Sequence, residues 1–253
     1  MHTNGKTALV TGATSGIGKA TAVALAHAGF SVVICGRRKE RLEALQSQLS
    51  AVTRVHILSF DVRNQQETLA AVASLPEDFR QIDVLINNAG NAHGLSSIEN
   101  GDTADWDAMI DINIKGLLYV SKAVIPGMTE RRAGHIIHIG SVAGKDVYPK
   151  GNVYCATKHA VDALNQGMRM DLNPYGIRVG AVNPGLVKTE FSLVRFKGDE
   201  ERAAPVYEGY EPLRPEDIAD IILFVVTRPY HVNIADLTVY PTAQASPTLL
   251  KRD

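Results

Sequence analysis

Short apolar runs alternate with longer segments of helical periodicity over most of the chain. Several runs are bounded by Gly, Pro or Asn, which is typical of β-strands. The pattern predicts seven strands, at about residues 6–10, 31–35, 54–60, 83–86, 134–141, 176–183 and 237–240. Between them it predicts helices that end at residue 28 or span about residues 38–49, 65–74, 105–130, 153–172 and 215–227.

The alternation of strand and helix predicts a parallel sheet with helices on both faces, because parallel strands need crossover connections. Right-handed crossovers leave few topologies for such a chain. The hydrophobic content of 45% is ample for one core, and no repeat, linker or compositional break divides the 253 residues. We therefore predict an α/β fold with a doubly wound, seven-stranded parallel sheet in a single domain, residues 1–253.

Composition and charge narrow the classes of partner. A formal net charge of -1 with mixed signs predicts neither nucleic acid nor an anionic membrane surface as a ligand. The first ten residues lack the pattern of a signal peptide, and no segment approaches the roughly 20 apolar residues of a membrane span. We expect a soluble cytoplasmic protein. Cys35 and Cys155 have no metal-like spacing, so neither a disulfide nor a metal site is predicted, and Cys155 is interpreted as a small buried residue rather than a redox thiol.

Tyr154 and Lys158 stand four residues apart in the predicted helix 153–172, so both side chains leave the same helix face. A phenol titrates near ~10 and is a poor acid or base at neutral pH. A neighbouring ammonium stabilises the phenolate and lowers the phenol's pKa, which would suit acid–base catalysis. Because this spacing occurs by chance in many helices, a catalytic role also requires a cofactor site and a reason for burial.

A glycine-rich turn, TGATSGIG at residues 11–18, joins the first predicted strand to the first helix. Gly12, Gly16 and Gly18 allow a tight turn and close approach of the backbone to a ligand. The following helix offers N–H groups and the positive end of its dipole to a pyrophosphate. The spacing differs from the common dinucleotide fingerprint, so a purely structural turn is the alternative. The strand–turn–helix context favours a Rossmann-type dinucleotide site.

Arg37 and Arg38 follow the second predicted strand, where an NAD-binding domain usually offers a carboxylate to the adenosine ribose. A permanently charged guanidinium suits a 2′-phosphate, so the pair predicts NADP(H) as the cofactor. The alternative is a solvated helix start. Cations are disfavoured at a helix N-terminus, which makes an anionic partner the better explanation.

Polar residues also lie at or near the carboxyl ends of the later strands. The segment NNAG, residues 87–90, follows the fourth strand, where open α/β sheets bind ligands. Ser141 ends the fifth strand, and His138 is expected to pack within that strand without a functional role. Asn113 lies between two isoleucines in the predicted helix 105–130, where a polar side chain needs hydrogen-bond partners.

With TGATSGIG, NNAG, Asn113, Ser141 and Tyr154-x-x-x-Lys158 in this order, the chain resembles the short-chain dehydrogenase/reductase family over nearly its whole length. The segments GRRKERL, FDVRNQ, EFSLVRFKGDE and RPYHVNIADLTVYPTAQ are similar to the bacterial NADP-dependent 3-hydroxy acid dehydrogenases, also called serine or L-allo-threonine dehydrogenases. This resemblance implies a homotetramer that oxidises the 3-hydroxyl of a small acid, such as serine, L-allo-threonine or 3-hydroxypropionate, or reduces the corresponding oxo compound. The tail after Ala245 departs from the expected pattern, which puts tail-mediated substrate contacts in doubt.

The resemblance also assigns catalytic roles. Tyr154 would be the acid/base, Lys158 would lower its pKa and hold the nicotinamide ribose, and Ser141 would donate a hydrogen bond to the reacting oxygen. Asn113 would bind a water that links Lys158 to solvent, although a structural Asn that bends the helix is a competing interpretation.

Cofactor contacts follow from the same resemblance. The pyrophosphate would lie against Gly12, Thr14, Ser15, Gly16, Ile17 and Gly18, the 2′-phosphate against Arg37 and Arg38, and the adenine against Asp61 and Val62. The adenosine-ribose side would be lined by Asn88, Ala89 and Gly90, and the nicotinamide carboxamide by Pro184, Gly185, Val187 and Thr189.

Substrate selection is expected from the segment at about residues 186–215, which is polar and too long for an ordinary connection. An acid substrate needs a cation, and we predict that Arg195 binds the substrate carboxylate. Ser141 and Tyr154 would contact the reacting oxygen of the same substrate. The alternative is that Arg195 and Lys197 pair with Asp199 and Glu200 or with a neighbouring subunit. Lys145 and Lys150 are further cations on the opposite wall. A reductase of 3-oxoacyl thioesters or other ketones, or a non-catalytic NADPH-sensing protein, remains an alternative function.

Overall fold

The computed structural model describes residues 5–253 and contains the seven predicted strands in one sheet. The strands are β1 (Thr7–Val10), β2 (Ser31–Gly36), β3 (Val55–Ser59), β4 (Val84–Asn87), β5 (Gly134–Ile139), β6 (Ile177–Pro184) and β7 (Asp236–Val239). Their order is β3-β2-β1-β4-β5-β6-β7, and every neighbouring pair is parallel. The predicted doubly wound sheet is confirmed, while residues 1–4 of the predicted domain lie outside the described residues.

Helices pack on both faces of this sheet. They are α1 (Gly16–His27), α2 (Lys39–Leu49), α3 (Gln65–Ala73), α4 (Glu77–Arg80), α5 (Thr103–Ile110), α6 (Leu117–Arg131), α7 (Asn152–Leu172), α8 (Phe191–Arg195), α9 (Glu200–Ala203) and α10 (Pro215–Val226). The longer helices agree with the predicted segments to within a few residues. The sequence pattern did not predict α4, α8 and α9, because one helical turn holds too few residues to display a period.

The strand register places alternate residues in two separate core layers. Leu9 pairs with Val33 in the layer that α6 covers, whereas the next residue, Val10, pairs with Ile34 in the layer that α1 and α10 cover. All four side chains are 0% exposed. A slip of one residue would exchange the two layers, so packing on both faces fixes the register.

The predicted helix 105–130 is interrupted at its centre. A π-helical turn, Asp111–Gly116, joins α5 to α6 and contains Asn113. Such a turn adds a residue to the helical repeat and is often found at functional sites. The competing interpretation, that Asn113 marks a distortion of the helix, agrees with this geometry.

The strand order reverses at β1, which lies between β2 and β4. The chain builds β2 and β3 on one side of β1 and then crosses back to build β4 to β7 on the other side, which opens a crevice at the carboxyl end of the sheet. The glycine-rich turn follows β1 at this point. The fold thus brings the turn, the end of β2 and the NNAG segment together, although they are far apart in sequence.

Candidate active site

A cavity of about 480 Å³ opens at the carboxyl end of the sheet. Most of the predicted site residues line it: Gly12, Thr14, Ser15, Gly16, Ile17, Arg37, Arg38, Asp61, Val62, Asn88, Ala89, Gly90, Ser141, Tyr154, Lys158, Pro184, Gly185, Val187, Thr189 and Arg195. Two predicted residues, Gly18 and Asn113, lie behind the cavity wall. The fold therefore gathers residues from across the chain, and the two exceptions act on the site from outside it.

The glycine-rich turn is shaped by backbone conformations that favour glycine. Gly12 and Gly16 have φ values of +67° and +52°, in the left-handed region. Gly18 has a different reason to be glycine, since a Cβ atom there would lie 2.4 Å from both the Gly12 carbonyl oxygen and the Asn88 Nδ2 atom. Gly18 therefore permits close packing behind the turn rather than forming its inner surface.

The NNAG segment is hydrogen-bonded to the same turn. The Asn88 side-chain amide donates to the Thr11 carbonyl at 2.8 Å, and the backbone N–H groups of Asn88 and Ala89 donate to the Thr11 hydroxyl at 3.0 and 2.9 Å. These bonds hold the two strand ends together. They leave Ala89 and Gly90 facing the cavity.

Arg38 lies at the end of β2, where its guanidinium donates to the Thr14 and Ser15 hydroxyls, at 2.7 Å each from Nη2. Arg37 points toward Asp61, 3.7 Å away, and its side chain is 57% exposed. Of the two predicted arginines, Arg38 is therefore held by hydrogen bonds, and Arg37 is accessible to solvent. The Arg63 guanidinium donates to the Asp61 carboxylate at 2.6 Å. Burial alone would raise the pKa of this carboxyl, but the hydrogen bonds and charge of Arg63 hold the pKa below its usual value.

Tyr154 and Lys158 lie one turn apart on α7, and both are buried, at 8% and 7% exposure. The Lys158 ammonium donates to the Ile139 carbonyl at 2.9 Å and lies 6.0 Å from the centroid of the Tyr154 ring. The helix therefore places the pair as the spacing predicted. The carbonyl at the end of β5 gives the buried ammonium a partner.

Burial dominates the titration of this pair. It raises the pKa of the Tyr154 phenol well above its ordinary value, while the Arg195 charge and a hydrogen bond with Ser141 act in the opposite direction. Burial also lowers the pKa of Lys158 to about 8. The net direction is upward because removing the phenolate from water costs more free energy than the nearby charges contribute in stabilising it.

Ser141 and Asn113 support the pair from two sides. The Ser141 hydroxyl accepts a hydrogen bond from the Ala143 N–H at 3.1 Å, at the start of a 3-10 turn, Val142–Gly144. The Asn113 amide donates to the Asn91 carbonyl at 2.8 Å and to the Thr157 hydroxyl at 3.0 Å. Asn113 thus ties the π-helical turn to the helix that carries Tyr154 and Lys158.

Arg195, the last residue of α8, reaches over the same pair. Its guanidinium carbon lies 5.0 Å from the Tyr154 ring centroid, and its Nη2 donates to the Tyr148 hydroxyl at 2.5 Å. The Nε atom of Arg195 is buried without a hydrogen-bond partner among the described residues. A planar cation with unused donor capacity is therefore held next to the phenol.

The other predicted cations are less suited to a ligand. Lys145 is committed to Asp162 at 2.7 Å and Asp236 at 2.5 Å, and Lys197 is committed to Asp105 at 2.9 Å. The alternative in which Arg195 and Lys197 pair with Asp199 and Glu200 is wrong, because Lys197 pairs with Asp105 and Asp102, and Arg195 donates to the Tyr148 hydroxyl. Pairing with a neighbouring subunit stays a prediction. Lys150 lines a smaller cavity behind Tyr154.

Several further residues line the cavity, and Glu190, Phe191, Val194 and Tyr207 among them lie in the predicted segment 186–215. These further residues are Leu95, Tyr148, Glu190, Phe191, Val194, Tyr207, Gln244 and Pro247, among others. Phe191 packs edge-on against Tyr154, with ring centroids 5.6 Å apart. The Gln244 side chain accepts a hydrogen bond from the Leu186 N–H at 2.9 Å, so the C-terminal segment contacts the start of the segment 186–215. A bulky aromatic residue just before the Tyr–Lys motif was the one sequence signal for Tyr148.

Within residues 5–253, no helix is long and apolar enough to cross a membrane. The same residues contain no cluster of three or more His, Cys, Asp or Glu side chains suited to a metal ion. Cys35 and Cys155 are both buried.

A doubly wound parallel sheet with a glycine-rich turn at its switch point defines an α/β protein of the Rossmann type. The model of the short chain dehydrogenase family matches residues 6–199, and the chain belongs to this family. It is 48% identical to the NADP-dependent 3-hydroxy acid dehydrogenase YdfG of Salmonella typhi over 94% of this chain and 95% of that protein. It is 45% identical to sulfoacetaldehyde reductase 2 of Chromohalobacter salexigens over 94% of each chain.

Solved structures give the same family. The closed form of serine dehydrogenase complexed with NADP+ superposes with a TM-score of 0.93 and 43% identity, and the match covers 98% of this chain and 99% of that chain. Serine dehydrogenase from Escherichia coli superposes with a TM-score of 0.82 and 39% identity, covering 94% of this chain and 99% of that chain. The resemblance stated from the sequence is confirmed at the level of the family.

Replacing Gly18 with Ala should destabilise the protein by about 1–3 kcal/mol, the usual cost of inserting a methyl group into packed surroundings. The added Cβ atom would collide with the Gly12 carbonyl and with Asn88. Gly167→Ala in α7 is the matched control, since its Cβ would meet nothing within 4 Å, and it should stabilise by about 0.5–1 kcal/mol. Urea unfolding measures both changes, and equal stabilities of the two variants would contradict the packing role of Gly18.

Proposed function

We propose that the protein is an NADP(H)-dependent oxidoreductase that interconverts a small 3-hydroxy acid and its 3-oxo form. The observation that carries this proposal is the position of the Arg195 guanidinium, 5.0 Å from the ring of the buried Tyr154 and in the same cavity as Arg37 and Arg38. One cavity thus offers a cation for a phosphate at one end and a cation for a carboxylate next to a phenol. The names of the relatives support the same reading.

The cofactor site fits a dinucleotide with a 2′-phosphate. Positive φ values at Gly12 and Gly16 open the turn to a pyrophosphate, and the hydroxyl and guanidinium donors near Arg38 suit a phosphate. The full set of proposed contacts is the one predicted from the sequence, except that Gly18 acts through packing. NADP(H), when bound, supplies the hydride chemistry, and the protein supplies binding and orientation.

Proton transfer is assigned to Tyr154. Its raised pKa keeps the phenol protonated at neutral pH, so it can donate to a carbonyl oxygen in reduction. In oxidation the deprotonated Tyr154 phenolate would accept the alcohol proton, and the Lys158 ammonium would stabilise that phenolate before the transfer. Ser141 would hold the reacting oxygen, and Asn113 would keep the π-helical turn and α7 in register, with the water relay as its proposed further role.

Substrate recognition is assigned to Arg195 together with Tyr148. A guanidinium matches the planar geometry of a carboxylate, and the Tyr148 hydroxyl beside it is a second donor. Since these donors would also bind a sulfonate, reduction of a small sulfonated aldehyde is a second candidate, which the 45% identical sulfoacetaldehyde reductase favours. Lys145 and Lys197 are engaged by carboxylates and are not assigned to the substrate.

Initial rates with 3-hydroxypropionate, 2-hydroxyethanesulfonate and 1-propanol, each with NADP+, test this function. We expect 3-hydroxypropionate to have the highest kcat/KM, because 1-propanol lacks the anionic group. In Arg195→Ala, kcat/KM for the acid should fall about 10- to 150-fold, the equivalent of one charged hydrogen bond of ~1.5–3 kcal/mol, while that for 1-propanol changes little.

The matched control is Arg202→Ala. The Arg202 guanidinium stacks on Phe196 in the same segment, but Arg202 does not line the cavity. It should leave the preference for acids unchanged. A preference for 1-propanol in the wild type, or an unchanged kcat/KM for the acid in Arg195→Ala, would contradict the assignment. Faster turnover of the sulfonate would favour the second candidate.

Tyr154→Phe should lower kcat by at least about 100-fold, the usual contribution of a positioned acid or base. The substitution removes the proton but keeps the aromatic ring that packs against Phe191. The dissociation constant of NADPH, measured by fluorescence titration, should change by less than about threefold, which separates loss of chemistry from loss of folding. Activity within tenfold of the wild type would reject the assigned role.

The oligomeric state and the cellular location are proposed on the resemblance alone. A homotetramer would cover exposed apolar side chains such as Val147 (67% exposed), Met170 (69%) and Leu249 (64%). Light scattering coupled to gel filtration measures the assembly directly, and a cytoplasmic location belongs to the same proposal.

A further inference from the structure

Glu190 joins the segment 186–215 to Arg38, which follows β2, and to Arg41 in α2. Its carboxylate accepts from the Arg38 Nη1 at 2.9 Å and from the Arg41 Nη1 at 2.7 Å. Arg38 lies 152 residues away in sequence, so the contact closes a long loop of the chain. The residue is half-exposed and was not recognised in the sequence as part of the site.

Arg38 is held from two sides. Its Nε and Nη2 atoms donate to the Thr14 hydroxyl at 3.1 and 2.7 Å, its Nη2 donates to the Ser15 hydroxyl at 2.7 Å, and its Nη1 donates to Glu190. Four of its five N–H groups are thereby engaged. A phosphate bound to the remaining N–H would share this guanidinium with the Glu190 carboxylate, so the two anions would be linked through one side chain.

Glu190 immediately precedes α8, and Arg195 ends it. The Glu190 carbonyl accepts the Val194 N–H at 2.9 Å, which makes the segment one continuous helical turn. Phe191 and Arg195 both reach Tyr154 from this turn, with the Phe191 ring centroid 5.6 Å and the Arg195 guanidinium carbon 5.0 Å from the centroid of the Tyr154 ring. The two ends of α8 therefore meet the two charged regions of the cavity.

We propose that Glu190 is a positioning residue that couples the 2′-phosphate site to the seating of Arg195 over Tyr154. This inference rests on the proposed function, in which Arg37 and Arg38 bind the 2′-phosphate and Arg195 binds the substrate carboxylate. NADP+ then promotes anion binding at Arg195 more strongly than NAD+ does. Because such coupling is reciprocal, the anion also increases the preference for the phosphorylated cofactor.

The single tryptophan of the chain, Trp106, reports on this segment. It packs against the same buried cluster as Phe191 and lines a small cavity together with Tyr154 and Arg195. Its emission therefore senses the position of α8 without any turnover. Propionate is the anion probe, since it carries a carboxylate but no hydroxyl to oxidise.

The experiment measures propionate affinity in the NADP+ and NAD+ complexes from Trp106 emission, with each cofactor near saturation. In the wild type, propionate should bind about fivefold more tightly to the NADP+ complex, the scale of two partly exposed ion pairs. In Glu190→Gln this ratio should fall to about one. Glu211→Gln is the matched control, because Glu211 forms a 2.7 Å pair with Arg214 outside the cavity, and it should keep the wild-type ratio.

Equal propionate affinities in the two wild-type complexes, or an unchanged ratio in Glu190→Gln, would overturn the coupling. Arg41→Gln removes the second partner of Glu190 and should lower the ratio in the same direction. If Glu190→Gln does not fold, an unchanged ratio in Arg41→Gln overturns the proposal instead.

The emission without anion separates this inference from the proposed function. NADP+ should change Trp106 emission more than NAD+ does, and Glu190→Gln should remove that difference. If the difference is present but propionate binds to neither complex, carboxylate recognition by Arg195 fails while the coupling stands.

Discussion

Burial of two ionisable side chains, Tyr154 and Lys158, is the constraint on which the rest of the site depends. In water a phenol and an ammonium would both keep their ordinary pKa values, and neither would respond strongly to a ligand. Tyr154 and Lys158 are 8% and 7% exposed, and burial disfavours the charged form of each side chain. The phenol is therefore a weaker acid than in water, and the ammonium is a stronger one. Any charge brought into the cavity therefore acts on a pair that solvent does not screen.

The fold achieves this burial through close backbone packing around α7. A Cβ atom on Gly144 would lie 2.6 Å from the Lys158 carbonyl oxygen, so only glycine lets the 3-10 turn after β5 press against the helix. Phe191 covers the Tyr154 ring from the other side. Arg38 lies toward one end of the cavity, whereas Arg195 lies next to the phenol, 5.0 Å from the centroid of its ring.

The fold and the position of the cofactor cavity were predictable from the sequence because they depend on local patterns. The apolar periods located the strands, and the glycine-rich turn and the Tyr154 motif fall where the parallel topology places ligands. The contacts of charged side chains were not predictable. Glu190 meets Arg38 and Lys145 meets Asp236 only because crossovers bring distant segments together, at separations of 152 and 91 residues. The effect of burial on the Tyr154 pKa was not predictable either, because the spacing of two residues does not report how deeply they are buried.

The most direct test is an NMR titration of the cofactor-free protein labelled with ¹³C at the tyrosine Cζ atoms. Tyr154→Phe assigns the Tyr154 signal by its absence. The account predicts that this signal keeps the chemical shift of a neutral phenol from pH 6 to beyond pH 10, since burial raises its pKa above the ordinary value. A titration of that signal between pH 6 and 9 would show that nearby charge outweighs burial, and would contradict the account.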